Sequence, residues 1–364
     1  MTARAGGDAG GPPRVEAAEA VLPTIDLAAD MAELTALGFR LETIHPADDP
    51  AVAVMTGHGA RVRLERGAGA PGALRLTGAP AGARVLPGGT RVTVAPAPRM
   101  EVPPVRPALH VRRLADGAPW VIGRAGMAYR DLVPDRLGGS IIASHIRIPG
   151  GGPVPDMVHY HTVGFQLIFC HRGWVDLVYE DQGPPFRLHA GCCVTQPPEI
   201  RHRVIEASDG IEVIEIGVPA EHVTTIDHAM TLPNGPADPE RRFGGQRFVH
   251  HVEEGAAWRP FRVPGFQARD TGIAAATNGV AGVEVVRPDG APAAAAAHGA
   301  DILFGFVRAG TMRLEVAGRD PEPLEEGDAF TLPPGLVARY ADPSAGFELL
   351  EVALPGPAPT RLEG

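Results

Sequence analysis

Apolar and polar positions alternate along most of the chain, which predicts many short β-strands rather than long helices. In the first hundred residues one helix interrupts this pattern. Asp26 can cap a helix over 27–37, and Gly38 can end it. Strands are predicted around this helix at 21–25, 39–44, 51–56, 61–65 and 73–76. The order βαβββ therefore opens the chain, and a proline-rich stretch at 84–107 predicts one or two further strands and a linker.

From residue 110 onward the predicted strands follow one another with almost no helix between them. They lie at 140–149, 165–170, 174–179, 192–196, 202–206 and 211–217. A polar connector at 220–245 separates them from a second β-rich half at 246–354. Strands at this density are typical of a barrel or jelly roll, so the sequence predicts a mainly β fold.

Composition narrows the range of functions. The 364 residues suggest two or three domains, and 44% hydrophobic and 21% charged residues are typical of a globular protein in water. All 33 basic residues are arginine, which excludes Schiff-base chemistry and a P-loop lysine. The net charge of -10 without a basic block makes nucleic acid a poor candidate partner.

The sequence also bears on the cellular location of the protein and on the chemistry of its cysteines. The apolar runs are short and broken by glycine or charge, so we expect no membrane span, and residues 1–15 lack the apolar core of a secretory signal. Cys170, Cys192 and Cys193 are the three cysteines. Because adjacent Cys192 and Cys193 would point to opposite faces of a strand, neither a disulfide nor a zinc knuckle is predicted. We expect a cytoplasmic protein.

Two histidines in one predicted strand carry the strongest functional signal. His159 and His161 are separated by one residue, so both project from the same face of a strand. His202 follows a later turn. Three such side chains can hold a divalent metal at the mouth of a barrel and leave adjacent coordination positions open for substrate and oxygen.

These residues stand in a register that resembles the two sequence motifs of the cupin family. The first motif is represented by Gly150, His159, His161, Gln166 and Gly173, with Gln166 where a glutamate is expected. The second is represented by Gly191, Pro197 and His202, with Glu199 where a glycine is usual. The resemblance implies a cupin barrel at 110–225.

The second half repeats the landmarks of the first but not its histidines. Gly310, Gly327 and Pro333 correspond to Gly173, Gly191 and Pro197. Counting from these positions, Ala296, His298 and Ala338 correspond to His159, His161 and His202. One histidine cannot hold a catalytic metal, so the resemblance implies a bicupin of two double-stranded β-helix jelly-roll barrels, the second of them degenerate and without metal.

The N-terminal βαβββ module resembles one repeat of the glyoxalase/vicinal-oxygen-chelate family. That family builds its metal cup from two repeats, and one is recognisable here, so we expect this α+β module to be structural or to cover a pocket. The predicted organisation is a flexible tail at 1–16, the module and linker at 17–109, the metal-binding cupin at 110–225, a connector at 226–245, the degenerate cupin at 246–356 and a tail at 357–364.

The functional hypothesis depends on the neutral side chain of Gln166. A three-histidine site without a carboxylate leaves the full charge of the ion and about three open positions, which favours an anionic, chelating substrate. In cupins, such sites resemble those of thiol dioxygenases and diketone-cleaving dioxygenases. We therefore predict a nonheme iron(II)-dependent dioxygenase that oxidises a small thiol, thione or enolisable substrate with O2. Histidine ligands also suit manganese, nickel, copper or zinc.

The sequence leaves other functional interpretations open. The metal could act as a Lewis acid in a non-redox isomerase or lyase for a keto or sugar acid, or the barrel could belong to a small-molecule binding protein. Gln166 could bond to bound oxygen or substrate, or fill a polar gap. Arg147 could pair with a substrate carboxylate, although Ile146 and Ile148 lie on the opposite strand face. Two-barrel cupins often form dimers, so the resemblance allows a homodimer.

Overall fold

The computed structural model describes residues 18–46, 50–67, 69–78, 81–96, 100–117, 119–123 and 126–363. The tail predicted at 1–16 lies outside these residues. The chain divides into two compact units, Met1–Arg99 and Met100–Gly364, each described by itself. No helix in the described ranges is long and apolar enough to cross a membrane.

The N-terminal unit begins with the predicted βαβββ order. Its elements are β1 (Ala20–Thr24), α1 (Leu27–Ala36), β2 (Arg40–His45), β3 (Val52–Gly57) and β4 (Ala60–Arg66). The sheet has the strand order β1-β4-β3-β2, with β1 parallel to β4 and the other pairs antiparallel. The carboxylate of Asp26 accepts the backbone N–H of Ala29 at 3.0 Å, which confirms the predicted cap. Leu34 and Phe39 are buried in the core.

A second small sheet completes this unit. It contains β5 (Ala73–Thr77), β6 (Gly82–Val85) and β7 (Arg91–Ala95) in the order β5-β7-β6. The strand predicted at 73–76 therefore exists, but it pairs with β7 rather than with the first sheet. The relation of the module to the glyoxalase family stays a prediction.

The C-terminal unit is formed almost entirely of strands. Its first part contains β8 (His110–Arg112), β9 (Val121–Ile122), β10 (Ala128–Asp131), α2 (Arg136–Gly139), β11 (Ile142–Ile148), β12 (Gly152–Pro153), β13 (His159–Thr162), β14 (Phe165–Arg172), β15 (Trp174–Tyr179), β16 (Phe186–His189), β17 (Cys193–Thr195), β18 (His202–Ala207), β19 (Ile211–Val218) and β20 (Val223–Ile226). A connecting region follows, with β21 (Arg242–Phe243), β22 (Gln246–Arg247) and β23 (His250–His251). The six strands predicted between 140 and 217 are all present.

The second part repeats this arrangement. It contains β24 (Arg259–Pro260), β25 (Phe266–Asp270), α3 (Ile273–Ala276), β26 (Gly282–Pro288), β27 (Ala295–His298), β28 (Ile302–Ala309), β29 (Thr311–Val316), β30 (Glu322–Glu325), β31 (Ala329–Leu332), β32 (Ala338–Ala341), β33 (Glu348–Leu354) and β34 (Thr360–Glu363). The predicted mainly β bicupin fold is confirmed.

Each barrel consists of two facing antiparallel sheets. The first has the orders β23-β17-β14-β19-β11-β10-β9 and β16-β15-β18-β13-β20, with β12 paired to β18. The second has the orders β24-β25-β26-β33-β28-β31-β8 and β30-β29-β32-β27-β34. The two halves therefore share one topology, strand for strand, around buried alternating side chains.

The barrels exchange edge strands, which alters the predicted boundaries. β8 lies in the segment assigned to the first cupin but pairs with β31 of the second. β23 lies in the segment assigned to the second cupin but pairs with β17 of the first. One apolar core contains Phe165 and Phe169 from the first barrel and Phe304 and Phe306 from the second. A cut at 225 or 246 would separate edge strands from their sheets.

The end of the chain, where the sequence predicts a tail at 357–364, contains the strand β34 at Thr360–Glu363. β34 pairs with β27 in register Ala296↔Leu362 and forms an edge of the second barrel. The pairing satisfies backbone groups on β27 that would otherwise face solvent unpaired.

Candidate metal centre

Three buried histidines from two paired strands meet inside the first barrel. His159 and His161 alternate on β13, and His202 begins β18 directly opposite His159 in the antiparallel register. A ligand nitrogen from each ring lies within 4.8 Å of the others. The structure therefore brings together the three residues predicted as ligands, at a spacing that one ion could bridge.

The turn before His202 contains residues of the second cupin motif. Glu199 stands where a glycine is usual and has a φ of +64°, in the left-handed region. Its backbone N–H donates to the carbonyl of His161 at 3.0 Å, which fixes the turn against β13. Gly335 stands at the corresponding place in the second barrel with a φ of +77°. The backbone conformation is retained in both halves, and in the first half a residue other than glycine adopts the left-handed φ.

Hydrogen bonds orient all three rings in the same sense. Nδ1 of His159 lies 2.7 Å from the carbonyl of Met157, and Nδ1 of His202 lies 2.9 Å from that of Ile200. Because a carbonyl only accepts, Nδ1 carries the proton in both rings. Nδ1 of His161 lies 2.9 Å from the Thr224 hydroxyl, which can accept in the same way. Nε2 is then the unprotonated nitrogen of His159 and His202, and of His161 when the Thr224 hydroxyl accepts, and this donor set fits a divalent transition metal.

A buried carboxylate supports the first ligand. Asp156 Oδ1 lies 3.5 Å from His159 Nδ1, and Asp156 Oδ2 accepts the backbone N–H of Val204 at 2.9 Å. A carboxylate behind a ligating imidazole makes the imidazole a stronger donor to a metal. Sequence reasoning missed Asp156. Its position three residues before His159 is the signal that was available.

The histidines line a mostly apolar cavity of about 80 Å³. Its described lining consists of Met127, Tyr129, Ile146, Ile148, His159, His161, Ile168, Val175, Leu177, Gln196, His202, Val204, Ile211, Val213 and Glu215. Such a chamber can exclude water around a metal and a small substrate.

Gln166 does not line this cavity. It is buried at 1% exposure, and its amide Nε2 donates to Oε1 of Glu215 at 2.6 Å. Glu215, on the adjacent strand β19, is the residue that faces the cavity. A direct bond from Gln166 to oxygen or substrate, one of its two predicted roles, stays a prediction. Sequence reasoning missed Glu215, because only the pairing of β14 with β19 brings it to this place.

Aromatic packing holds the third ligand. The Tyr179 ring stacks on His202 with centroids 5.4 Å apart and planes inclined by 25°. The amide of Gln196 donates to the Tyr179 hydroxyl at 2.9 Å. Burial raises the pKa of Tyr179 well above its ordinary value, so the phenol stays neutral. On the other side, the ring of His222 lies 5.4 Å from that of His161, edge to face.

Arg147, predicted as a substrate-binding residue, is not in the cavity. Ile146 and Ile148 line it, and the intervening Arg147 points to the opposite strand face. There its guanidinium bonds to Glu212 at 3.0 Å and lies 4.3 Å from the centre of the Trp120 ring. The structure thus gives Arg147 an ion pair with Glu212, and its contact with a substrate carboxylate stays a prediction.

Glu212 is the centre of a buried charged cluster outside the cavity. It accepts from His145 Nε2 at 2.7 Å, and the Arg130 guanidinium lies 3.2 Å from Nδ1 of the same ring. Burial raises the pKa of Glu212, but the His145 hydrogen bond and the charges of Arg147 and Arg172 outweigh it and lower the pKa to about 2. Burial lowers the pKa of His145. A neutral His145 that donates from Nε2 and accepts at Nδ1 satisfies both contacts.

In the second barrel, Ala296, His298 and Ala338 hold the positions that correspond to the three histidines. Ala296 and Ala338 face each other in the register that His159 and His202 occupy in the first. His298 is buried and donates from Nε2 to the carbonyl of Leu332 at 3.0 Å. The second barrel thus offers one imidazole where the first barrel offers three.

No protein-family model matches the sequence, and no curated protein matches it. Solved structures do resemble the fold. Salicylate 1,2-dioxygenase from Pseudaminobacter salicylatoxidans superposes with a TM-score of 0.52 at 17% identity, over 73% of this chain and 91% of that chain. Oxalate decarboxylase from Lactobacillus farciminis, as a formate complex, gives 0.53 at 11% identity, over 72% and 90%. At these identities the likeness establishes the cupin-type fold alone.

Proposed function

We propose that this protein is a nonheme iron(II)-dependent dioxygenase of the cupin type, with His159, His161 and His202 as the ligands. The observation that carries the proposal is the common orientation of the three rings, whose Nδ1 atoms bond to Met157, Thr224 and Ile200. Unprotonated Nε2 atoms on three buried, converging rings are what a histidine-only metal site requires. The cupin-type dioxygenase among the similar folds is consistent with this reading.

The chain's own residues perform the other tasks that such chemistry needs. Asp156 and Tyr179 hold two of the ligand rings in place, and aliphatic side chains keep water away from the reacting atoms. Bound iron(II) would supply the redox chemistry for dioxygen and would favour the deprotonated form of a coordinating substrate. These features together suit oxidation in a preformed, mostly apolar chamber.

The substrate class follows from the same cavity. Three neutral ligands leave the full charge of a divalent ion to attract an anionic head group, such as a thiolate or enolate. The aliphatic lining suits an apolar remainder. We therefore propose a small thiol, thione or enolisable compound as substrate, with O2 as the second reactant.

A second candidate is a non-redox isomerase or lyase that uses the metal as a Lewis acid. Glu215 favours it, because a carboxylate in the wall of the cavity could accept and return a substrate proton. The fold is also similar to that of an oxalate decarboxylase. This candidate requires no net consumption of oxygen.

Metal analysis and oxygen uptake separate these candidates. The protein would be purified anaerobically, its metals quantified, and oxygen consumption followed with thiols, thiones and β-diketones. His159→Ala is the test variant, and His189→Ala, an exposed histidine on β16, is the matched control. Near-stoichiometric iron with substrate-dependent oxygen uptake, lost only in His159→Ala, would support the dioxygenase. Bound metal without oxygen uptake would favour the isomerase or lyase, and absence of metal would leave a binding protein.

A further inference from the structure

The cavity beside the three histidines has walls made of strands rather than loops. Most of its described lining consists of valine, leucine and isoleucine side chains on β11, β14, β15, β18 and β19. Each of these strands is hydrogen-bonded to neighbouring strands of its sheet. Valine and isoleucine also have few rotamers, because two heavy atoms branch from their Cβ. The walls therefore have little freedom to move apart for a larger ligand.

The strand register places an aliphatic layer directly beside the third candidate ligand. Val204 follows His202 by two residues on β18, on the same strand face, and lies opposite Leu177 of β15. On the facing sheet, Ile146 lies opposite Val213. All four aliphatic side chains line the cavity. We therefore expect the part of a substrate just beyond its metal-binding group to lie among them.

The volume of the cavity limits what can occupy this layer. It measures about 80 Å³. An apolar protein cavity that holds one benzene molecule measures about 150 Å³. Protein interiors are close-packed, so atoms in excess of the available space force side chains out of their preferred rotamers. The space suits a short chain and is too small for a six-membered ring.

We infer that the substrate carries a short aliphatic chain on its metal-binding group, and that Leu177 sets the size limit beside the ligands. The inference rests on the proposed metal centre and narrows its substrate class to the short-chain members of the proposed thiols, thiones and enolisable compounds. Leu177 is 3% exposed and is larger than Val204 across the strand pair. Shortening Leu177 would therefore open more space beside His202 than shortening Val204.

A binding experiment without oxygen chemistry tests the size limit. The zinc-loaded protein would be titrated calorimetrically with butane-1-thiol and with cyclohexanethiol. Where a site has room, each further buried methylene strengthens binding roughly fourfold, so a spacious site would prefer cyclohexanethiol. We expect butane-1-thiol to bind at least about tenfold more tightly, because the ring overpacks the aliphatic layer. A smaller preference, the reverse order, or binding of neither thiol would overturn the inference.

Two matched variants identify the residue responsible. Leu177→Ala enlarges the cavity and should raise the affinity for cyclohexanethiol at least about tenfold. Leu167→Ala removes the same atoms from the core shared by the two barrels, outside the described lining, and should change that affinity less than about threefold. No gain in Leu177→Ala, or equal gains in both variants, would contradict the role of Leu177. The wild-type comparison needs no variant and decides the size limit even if Leu177→Ala does not fold.

The outcome is distinguishable from that of the dioxygenase proposal. Zinc has no redox chemistry, so the preference between the two thiols reports on the cavity alone. The expected preference, combined with no oxygen uptake by the iron-loaded protein, would retain the inference and reject the dioxygenase. Oxygen uptake without the preference would do the reverse. A protein that binds no zinc would reject the metal centre and the inference together.

Discussion

The side-chain amide of Gln166 donates a 2.6 Å hydrogen bond to the carboxylate of Glu215 on the neighbouring strand. The position at which cupins usually carry an acidic ligand thus holds a neutral residue that positions a carboxylate from elsewhere in the barrel. Both side chains come from the central strands of the same sheet, so their geometry is fixed by main-chain pairing.

Replacing this donor by a carboxylate should destabilise the barrel in a pH-dependent way. In Gln166→Glu, two carboxylates face each other at the distance of the present hydrogen bond, and we expect a loss of about 1–3 kcal/mol in the free energy of unfolding at pH 8. At pH 5 the loss should be smaller, because one carboxyl group can bind a proton. Denaturant unfolding with a chelator present measures both values. Equal losses at the two pH values would show that the side chains separate instead.

The partner of His161 should control metal affinity without affecting the fold. Thr224→Val removes the hydroxyl that lies 2.9 Å from Nδ1 of His161, and losses of this kind weaken metal binding by about 10–100-fold. Competition with a zinc indicator dye measures the change. Thr225→Val is the matched control, since the neighbouring residue of β20 points to the other strand face. The prediction is wrong if both variants bind zinc as tightly as the parent protein.

The Glu212 cluster should make the free energy of unfolding depend on pH. The pKa of Glu212 in the folded protein is about 2, below its ordinary value of 4.5, so its contribution is present above pH 4.5 and is lost as the pH falls towards 2. Glu212→Gln leaves the buried, neutral His145 without its carboxylate acceptor and the half-buried Arg147 without its anion, and should cost about 3 kcal/mol at pH 7. The two unfolding free energies should converge in acid. The prediction is wrong if the unfolding free energies of the parent protein and of Glu212→Gln differ by the same amount from pH 5 to pH 2.

Glu284 should make stability depend on pH in the opposite direction from Glu212. It pairs with Glu351 across β26 and β33, and burial together with the negative charge of Glu351 raises its pKa to about 7. Because the folded form then holds the proton more tightly than the unfolded form, stability should fall as the pH rises from about 4.5 through 7, by roughly 3 kcal/mol. Glu284→Gln should remove this slope. Thermal unfolding of both proteins across this pH range is the check, and unchanged slopes would contradict it.

The sequence by itself was sufficient for the residues whose roles depend on local register. Alternation on one strand places His159 and His161 on the same face, and the glycine and proline spacing identifies His202 and the degenerate counterparts Ala296 and Ala338. Asp26 shows the same principle, because a helix cap involves only the next three residues. These features could be predicted because strand period and turn chemistry act over a few residues.

Tertiary structure alone decided the features that depend on distant strand pairing. Glu215 follows Gln166 by 49 residues and reaches it because β14 pairs with β19. Arg147 turned to Glu212 instead of the cavity, β8 and β23 joined the opposite barrels, and β34 closed the second one. Strand alternation fixes which residues share a face, but the choice of partner strand, and of the face that lines a cavity, comes from packing across the whole barrel.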